Sequence, residues 1–204
     1  MELRQIGHRQ QARGSHKELA FGQALSAATK SINEKLEKGN RKLNSGKRFE
    51  ENFKKSVPDN IFYYRFRDGT SSWDKGSQTR FQQRNICDCQ LFDGDYLYLL
   101  ELKTTKGKSL SLNNIRKNQI DDLMEASEYA NIVAGLVVNF ADVEQTYFME
   151  IKLAYYWFYE QTERKSIPIK EFRDECIEIQ SKKLKTNYRY DIEGFIKEVV
   201  RELI

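Results

Sequence analysis

The chain has 204 residues, 39% of them hydrophobic and 31% charged, and a formal net charge of +4. That length and apolar content suit one core-bearing domain with an appendage and exclude a disordered chain, while two prolines leave no room for long Pro-rich linkers. No apolar run approaches the length of a bilayer span, and the opening MELRQIGHRQQ lacks the apolar stretch of a secretory signal, so a soluble, cytoplasmic protein without membrane contact is expected. The cysteines Cys87, Cys89 and Cys176 form no CxxC pair, and only His8 and His16 are available to join them. A zinc site is therefore not expected, and any metal should be an oxygen-ligated ion such as magnesium, manganese or calcium. The charge is unevenly spread: up to Arg48 there are eleven Lys and Arg against four Glu, and the remainder carries a net −3. A basic arm on a near-neutral body suits a polyanion such as nucleic acid, although a solvated tail would look the same on charge alone.

Taken in chain order, residues 1 to about 16 are polar. From Lys17 the spacing of Phe21, Leu25, Ala28, Ile32 and Leu36 predicts a helix that ends near Gly39-Asn40. A second helix is expected from about Ser45 to Ser56, with Phe49 and Phe53 one turn apart, before Pro58 breaks the chain. Residues 61–67 alternate as a strand, setting Phe62, Tyr64 and Phe66 on one face and Arg65 and Arg67 on the other. Residues 68–84 read as a long loop, a length that is usually functional or disordered. Two strands follow around Asp93-Gly94, then a helix from about Asn113 to Tyr129, a buried central strand over 131–138 and its neighbour over 146–151. The aromatic run Tyr155 to Tyr159 reads as helical core rather than a platform for bases, and a last helix spans roughly Asp191 to Leu203. The order predicts a mixed central sheet flanked by helices, an α/β or α+β sandwich.

The segment from Asn85 to Lys103 carries the chemistry. Asp93-Gly94 between two alternating runs signals a hairpin. A two-residue turn would pair Cys89 with Tyr98 and Asp88 with Leu99, which puts Glu101 diagonal to Asp88 on one face, with Lys103 following on that face. A three-residue loop would turn Asp88 to the opposite face. Two carboxylates so placed can share a divalent ion that activates water and offsets charge on a phosphodiester, and a neighbouring lysine can orient the water or neutralise the phosphorane. The competing reading of Glu101-Leu102-Lys103 is an ordinary ion pair at a strand end. In the following helix, Ile115, Gln119 and Leu123 recur at i, i+4, i+8, which places Gln119 on the sheet-facing stripe. A buried glutamine needs partners, either the metal site or a strand end.

Asp followed across a hairpin by Glu-x-Lys resembles the PD-(D/E)xK nuclease superfamily, and the surrounding residues resemble RecU, the Holliday junction resolvases of Gram-positive bacteria and their phages. The likeness runs from about Gly46 to Asp191. Gly46-Lys47-Arg48-Phe49-Glu50-Glu51-Asn52-Phe53 is similar to the helix bearing the family's first acidic residue, best placed on Glu50 with Glu51 its rival. Asp88, Glu101 and Lys103 fall on the central triad. Leu112 to Ile120, with its Gln119-Ile120 pair, resembles the family's next helix entry, and Thr146-Tyr147-Phe148-Met149-Glu150 and Arg164-Lys165-Ser166-Ile167 resemble two further segments. Cys87 stands where the superfamily has Pro. The counterpart of the family's junction-entering stalk, Arg65 to Arg84, has a different sequence.

The resemblance implies a restriction-endonuclease-like core over 45–204, a partly helical basic arm over 1–44, and a stalk-like insertion at 68–84. It implies a Mg²⁺-dependent endonuclease, with Mn²⁺ as a substitute, that resolves Holliday junctions by paired symmetric nicks. Asp88 and Glu101 would hold the metal, Lys103 and Glu50 would complete the catalytic set, and Gln119 would support it from behind. A two-fold dimer presents two equivalent sites to two equivalent strands, so a homodimer on branched DNA is expected, with a recombinase as a further partner. Lys47, Arg48, Arg65, Arg67, Trp73, Arg80, Arg84, Lys106 and Lys108 are the expected DNA contacts. The competing functions are a phage or restriction-type nuclease on linear DNA and a non-catalytic DNA-binding accessory of recombination.

Overall fold

The computed structural model describes residues 44–66 and 85–204. The helix expected from Lys17 lies outside the described residues, as do the loop at 68–84 and the candidates Arg67, Trp73, Arg80 and Arg84. Among the described residues no helix is long and apolar enough to cross a membrane.

The first element, α1 (Ser45–Lys54), starts where the Asn44 side chain accepts a hydrogen bond from the Gly46 amide at 3.2 Å. Its Phe49 and Phe53 are buried, and Tyr190 packs against both rings. The central sheet has six strands in the order β1-β2-β3-β5-β6-β8, namely β1 (Phe62–Arg65), β2 (Cys89–Phe92), β3 (Leu97–Thr105), β5 (Ile132–Phe140), β6 (Gln145–Glu150) and β8 (Ile177–Glu178). Every neighbouring pair is antiparallel except β3 and β5, which run parallel from Leu97↔Ile132 to Thr105↔Phe140. Parallel strands need a crossover, and α2 (Lys117–Ala126) lies within it. This is the expected mixed sheet flanked by helices.

Both faces of β3 and β5 are covered, which is why these strands read as nearly continuous apolar runs. On one face Cys89, Leu91, Tyr98, Leu100, Leu102, Val137 and Phe148 meet α1 and α5 (Ile192–Leu203). On the other Leu99, Ala134, Leu136, Val138, Tyr147 and Met149 meet α2, α3 (Ile151–Tyr155) and α4 (Ile169–Glu175). The aromatic run continues α3 as a π turn, Tyr156–Glu160, with Trp157 buried in the core as expected.

Two expectations need correction. The β2–β3 hairpin does not close on two residues: Cys89 faces Leu100, not Tyr98, and Asp93 to Tyr96 form the connection. Asp93 explains the longer turn, because its Oδ1 accepts from the amides of Asp95 and Tyr96 while its Oδ2 accepts from the Tyr98 hydroxyl at 2.8 Å. The slip is an even number of residues, so every side chain keeps its face and Asp88 moves from diagonal to directly across from Glu101. In β1 Phe62 and Tyr64 share a face as expected, and that face is the exposed one, at 55% and 47%, while Tyr63 packs against the core. The helix expected from Asn113 begins at Lys117, after a single 3₁₀ turn over Leu112–Asn114. Short pairings also went unread: β4 (Ser109–Ser111) with β7 (Ser166–Pro168), and β9 (Ser181–Lys183) with β10 (Tyr188–Tyr190).

Gly135 is a point of close approach between β5 and β6. A Cβ there would stand 2.4 Å from the Met149 carbonyl oxygen and 2.5 Å from the Phe148 ring. Gly135→Ala is therefore expected to lower stability by about 1–3 kcal/mol, measured as a shift in the urea midpoint; an unchanged midpoint would mean the β5–β6 spacing is looser than described.

Candidate active site

Glu101 sits in the middle of β3 and is only 2% exposed. An ionised carboxylate buried this deeply must be paired and hydrogen-bonded. One oxygen is well provided for. Glu101 Oε1 accepts from Lys103 Nζ at 2.7 Å and from Gln119 Nε2 at 2.6 Å. The other oxygen, Oε2, is equally buried and has no hydrogen-bond partner.

Strand periodicity puts Lys103 beside Glu101 on the same face, and its side chain is 17% exposed, so the ammonium lies at the rim rather than in the core. Gln119 comes from the first turn of α2 and is held at both ends. Its Oε1 accepts from Lys103 Nζ and from the backbone amide of Arg116, each at 3.3 Å, while its amide nitrogen serves Glu101. The glutamine thus fixes Glu101 and Lys103 relative to each other. The Arg116 amide, which locks the glutamine orientation, is a contact that sequence spacing does not reveal.

Asp88 lies one residue before β2. Its Oδ2 accepts from the Leu102 amide at 2.8 Å, and the Phe66 amide donates to its carbonyl at 3.0 Å. The carboxyl is pushed up to about 7, first by burial and then by the charge of Glu101, against the lowering effects of the Leu102 amide and Lys103. Two carboxylates facing each other with one buried oxygen unpartnered are what a divalent cation would relieve. All the donors are hard oxygens, which fits magnesium or manganese. Cys87 is no competitor as a ligand, because burial pushes its thiol up to about 12 and it donates to the Cys89 carbonyl.

Glu50 is not brought into this group as a third ligand. Among the described residues no three His, Cys, Asp or Glu side chains converge on one point. Instead Glu50 Oε2 pairs with Arg65 Nη2 at 2.5 Å. Glu50 and Asp88 both act electrostatically on the Tyr63 hydroxyl and the Cys89 thiol between them. The Tyr63 hydroxyl is buried without a partner, and burial pushes its pKa above the ordinary value. Of the expected DNA contacts, Lys47 and Arg48 are exposed at the start of α1, and Lys106 and Lys108 are exposed on the turn after β3. Arg116, Lys117, Arg164 and Lys165 are exposed basic residues that the sequence reading did not assign. Lys117 pairs with Asp121 and lies 4.9 Å from the Tyr159 ring centre, and the Arg164 guanidinium lies 5.8 Å from that of Trp157.

The raised pKa of Asp88 has a consequence for stability. Between the unfolded carboxyl value near 4 and the folded value of about 7, the folded chain holds a proton that the unfolded chain has lost. Without metal, stability should therefore fall as pH rises from 5 to 8. Asp88→Asn should flatten that profile, and Mn²⁺ at pH 8 should raise the melting temperature of the wild type but not of Asp88→Asn. Thermal scans across pH check this, and identical profiles for the two proteins would contradict the geometry.

Several known proteins are similar to this chain. A structure of Hjc, described as a Holliday junction resolvase from Archaeoglobus fulgidus, aligns with 58% of this chain and 83% of its own length at 14% identity and a TM-score of 0.40. A SPbeta prophage-derived uncharacterised protein of Bacillus subtilis, YotM, is 33% identical over 174 residues, covering 78% of this chain and 88% of its own. Residues 53–192 match the family Recombination protein U, RecU, and the chain belongs to that family.

Proposed function

We propose that this protein is a Mg²⁺-dependent endonuclease that resolves Holliday junctions by paired, symmetric nicks. Membership of the RecU family supports the class of reaction. The observation that carries the chemistry is the unpartnered, buried Glu101 Oε2 opposite Asp88. Asp88 and Glu101 would hold the ion, with Mn²⁺ as a substitute. When bound, the ion supplies an activated water and a sink for charge on the phosphate.

The remaining roles belong to side chains. Lys103, at the rim, orients the water or offsets charge on the pentavalent phosphate. Gln119 keeps Lys103 and Glu101 in register and does not itself touch the substrate. Glu50 assists from the other layer of the sheet. Lys47, Arg48, Arg65, Lys106 and Lys108 take backbone phosphates, joined from outside the described residues by Arg67, Arg80 and Arg84, with Trp73 stacking on a base. The basic residues 1–44 track the DNA flanks, and 68–84 act as a stalk-like insertion in the nuclease domain, 45–204. A cytoplasmic homodimer places two such sites on one four-way junction, and a recombinase is its accessory partner.

The decisive assay uses a labelled four-way junction and its separate linear arms, with Mg²⁺ or with chelator. Junction nicking in two equivalent strands is expected, abolished by chelator and in Glu101→Gln. Lys103→Ala should cost about 10²–10³-fold in rate, and Gln119→Ala roughly 10–100-fold. Nicking that survives chelation, or persists in Asp88→Ala, would overturn the metal mechanism. Equal cutting of the linear arms would overturn junction selectivity alone.

A further inference from the structure

The ion pair between Glu50 and Arg65 joins two residues that the nuclease reading assigns to different work, one beside the metal and one on DNA. The Arg65 side chain is 37% exposed and that of Glu50 23% exposed. Across the β1–β2 ladder Arg65 faces Cys89, the residue after Asp88. The amide of the next residue, Phe66, donates to the Asp88 carbonyl. The pair is therefore fastened to the backbone of Asp88 from the β1 side, whereas Glu101, Lys103 and Gln119 approach from the α2 side. A carboxylate oxygen engaged by a guanidinium at 2.5 Å is not at the same time offered to a metal ion. Guanidinium matches phosphate as well as it matches carboxylate, and an ion pair open to solvent exchanges readily.

We propose that Arg65 is a substrate-sensing positioning residue. In the free protein its guanidinium holds Glu50 away from the Asp88–Glu101 site, and a DNA phosphate that takes over the guanidinium releases Glu50 towards it. The complete acidic set then forms only on substrate, which keeps the free enzyme short of its full metal affinity. This inference rests on the nuclease reading above.

The test is Mn²⁺ titration without DNA, followed by electron paramagnetic resonance of the free ion. Arg65→Gln should bind Mn²⁺ roughly three- to tenfold more tightly than wild type, the scale set by one nearby, partly screened charge. The gain should vanish in the double variant Glu50→Gln/Arg65→Gln, which separates release of Glu50 from the mere loss of a positive charge. A second arm needs no change at Arg65. Saturating phosphorothioate junction DNA should raise Mn²⁺ affinity more in wild type than in Glu50→Gln. Unchanged or weaker binding by Arg65→Gln, a gain that survives in the double variant, or equal DNA-induced gains in wild type and Glu50→Gln would each overturn the role of Arg65. Absence of Mn²⁺ binding by wild type in both arms would instead overturn the metal centre itself.

Discussion

A carboxylate buried in the middle of a sheet strand is the constraint around which this fold is arranged. Glu101 has both faces of β3 packed around it and almost no access to water. Desolvating that charge costs several kcal/mol unless partners replace the lost water. Lys103 and Gln119 replace it at one oxygen only. Three consequences follow: α2 must begin where its first turn can reach β3, the β2–β3 hairpin must bring Asp88 across from Glu101, and the second oxygen is left without a hydrogen-bond partner. The fold is held by its apolar layers, but the placement of α2 and of the hairpin is tuned to one acidic side chain.

How much of this was legible in the residues depends on the range of the interaction that decides each feature. Period-two and period-3.6 patterns are local, so α1, β5, β6, α5 and the burial of Gln119 could be read directly. The hairpin register could not, because Asp93 uses both carboxylate oxygens to build a longer turn than Asp-Gly alone suggests. The shift preserved the face, so Asp88 and Glu101 still stand on the same side of the sheet. β7, β8, β9 and β10 are two or three residues long and are defined by their partners rather than by any pattern of their own. Long-range ion pairs were the least legible. Nothing in the spacing of Glu50 and Arg65 says that they meet, and their meeting changes what each is available to do.

The two layers give the site a division of labour. From the α2 layer come groups satisfied by one another: Glu101, Lys103 and Gln119 form a hydrogen-bonded set in which Glu101 Oε2 alone has no partner. From the α1 and β1 layer come groups that are near the site but engaged elsewhere or unpartnered: Glu50 on Arg65, and the Tyr63 hydroxyl with none. The first set is preorganised, as electrostatic catalysis requires. Under the proposed function, the second set rearranges when a polyanion supplies new partners. The exposed lysines and arginines at the start of α1, on the turn after β3 and before α2 are suited to binding such a polyanion.

Crystals grown with Mn²⁺ and measured for its anomalous scattering would test the central claim most directly. The account requires a peak within bonding distance of Glu101 Oε2 and the Asp88 carboxylate. A fully loaded crystal with no peak there, or with Glu101 Oε2 satisfied by a protein donor instead, would contradict it.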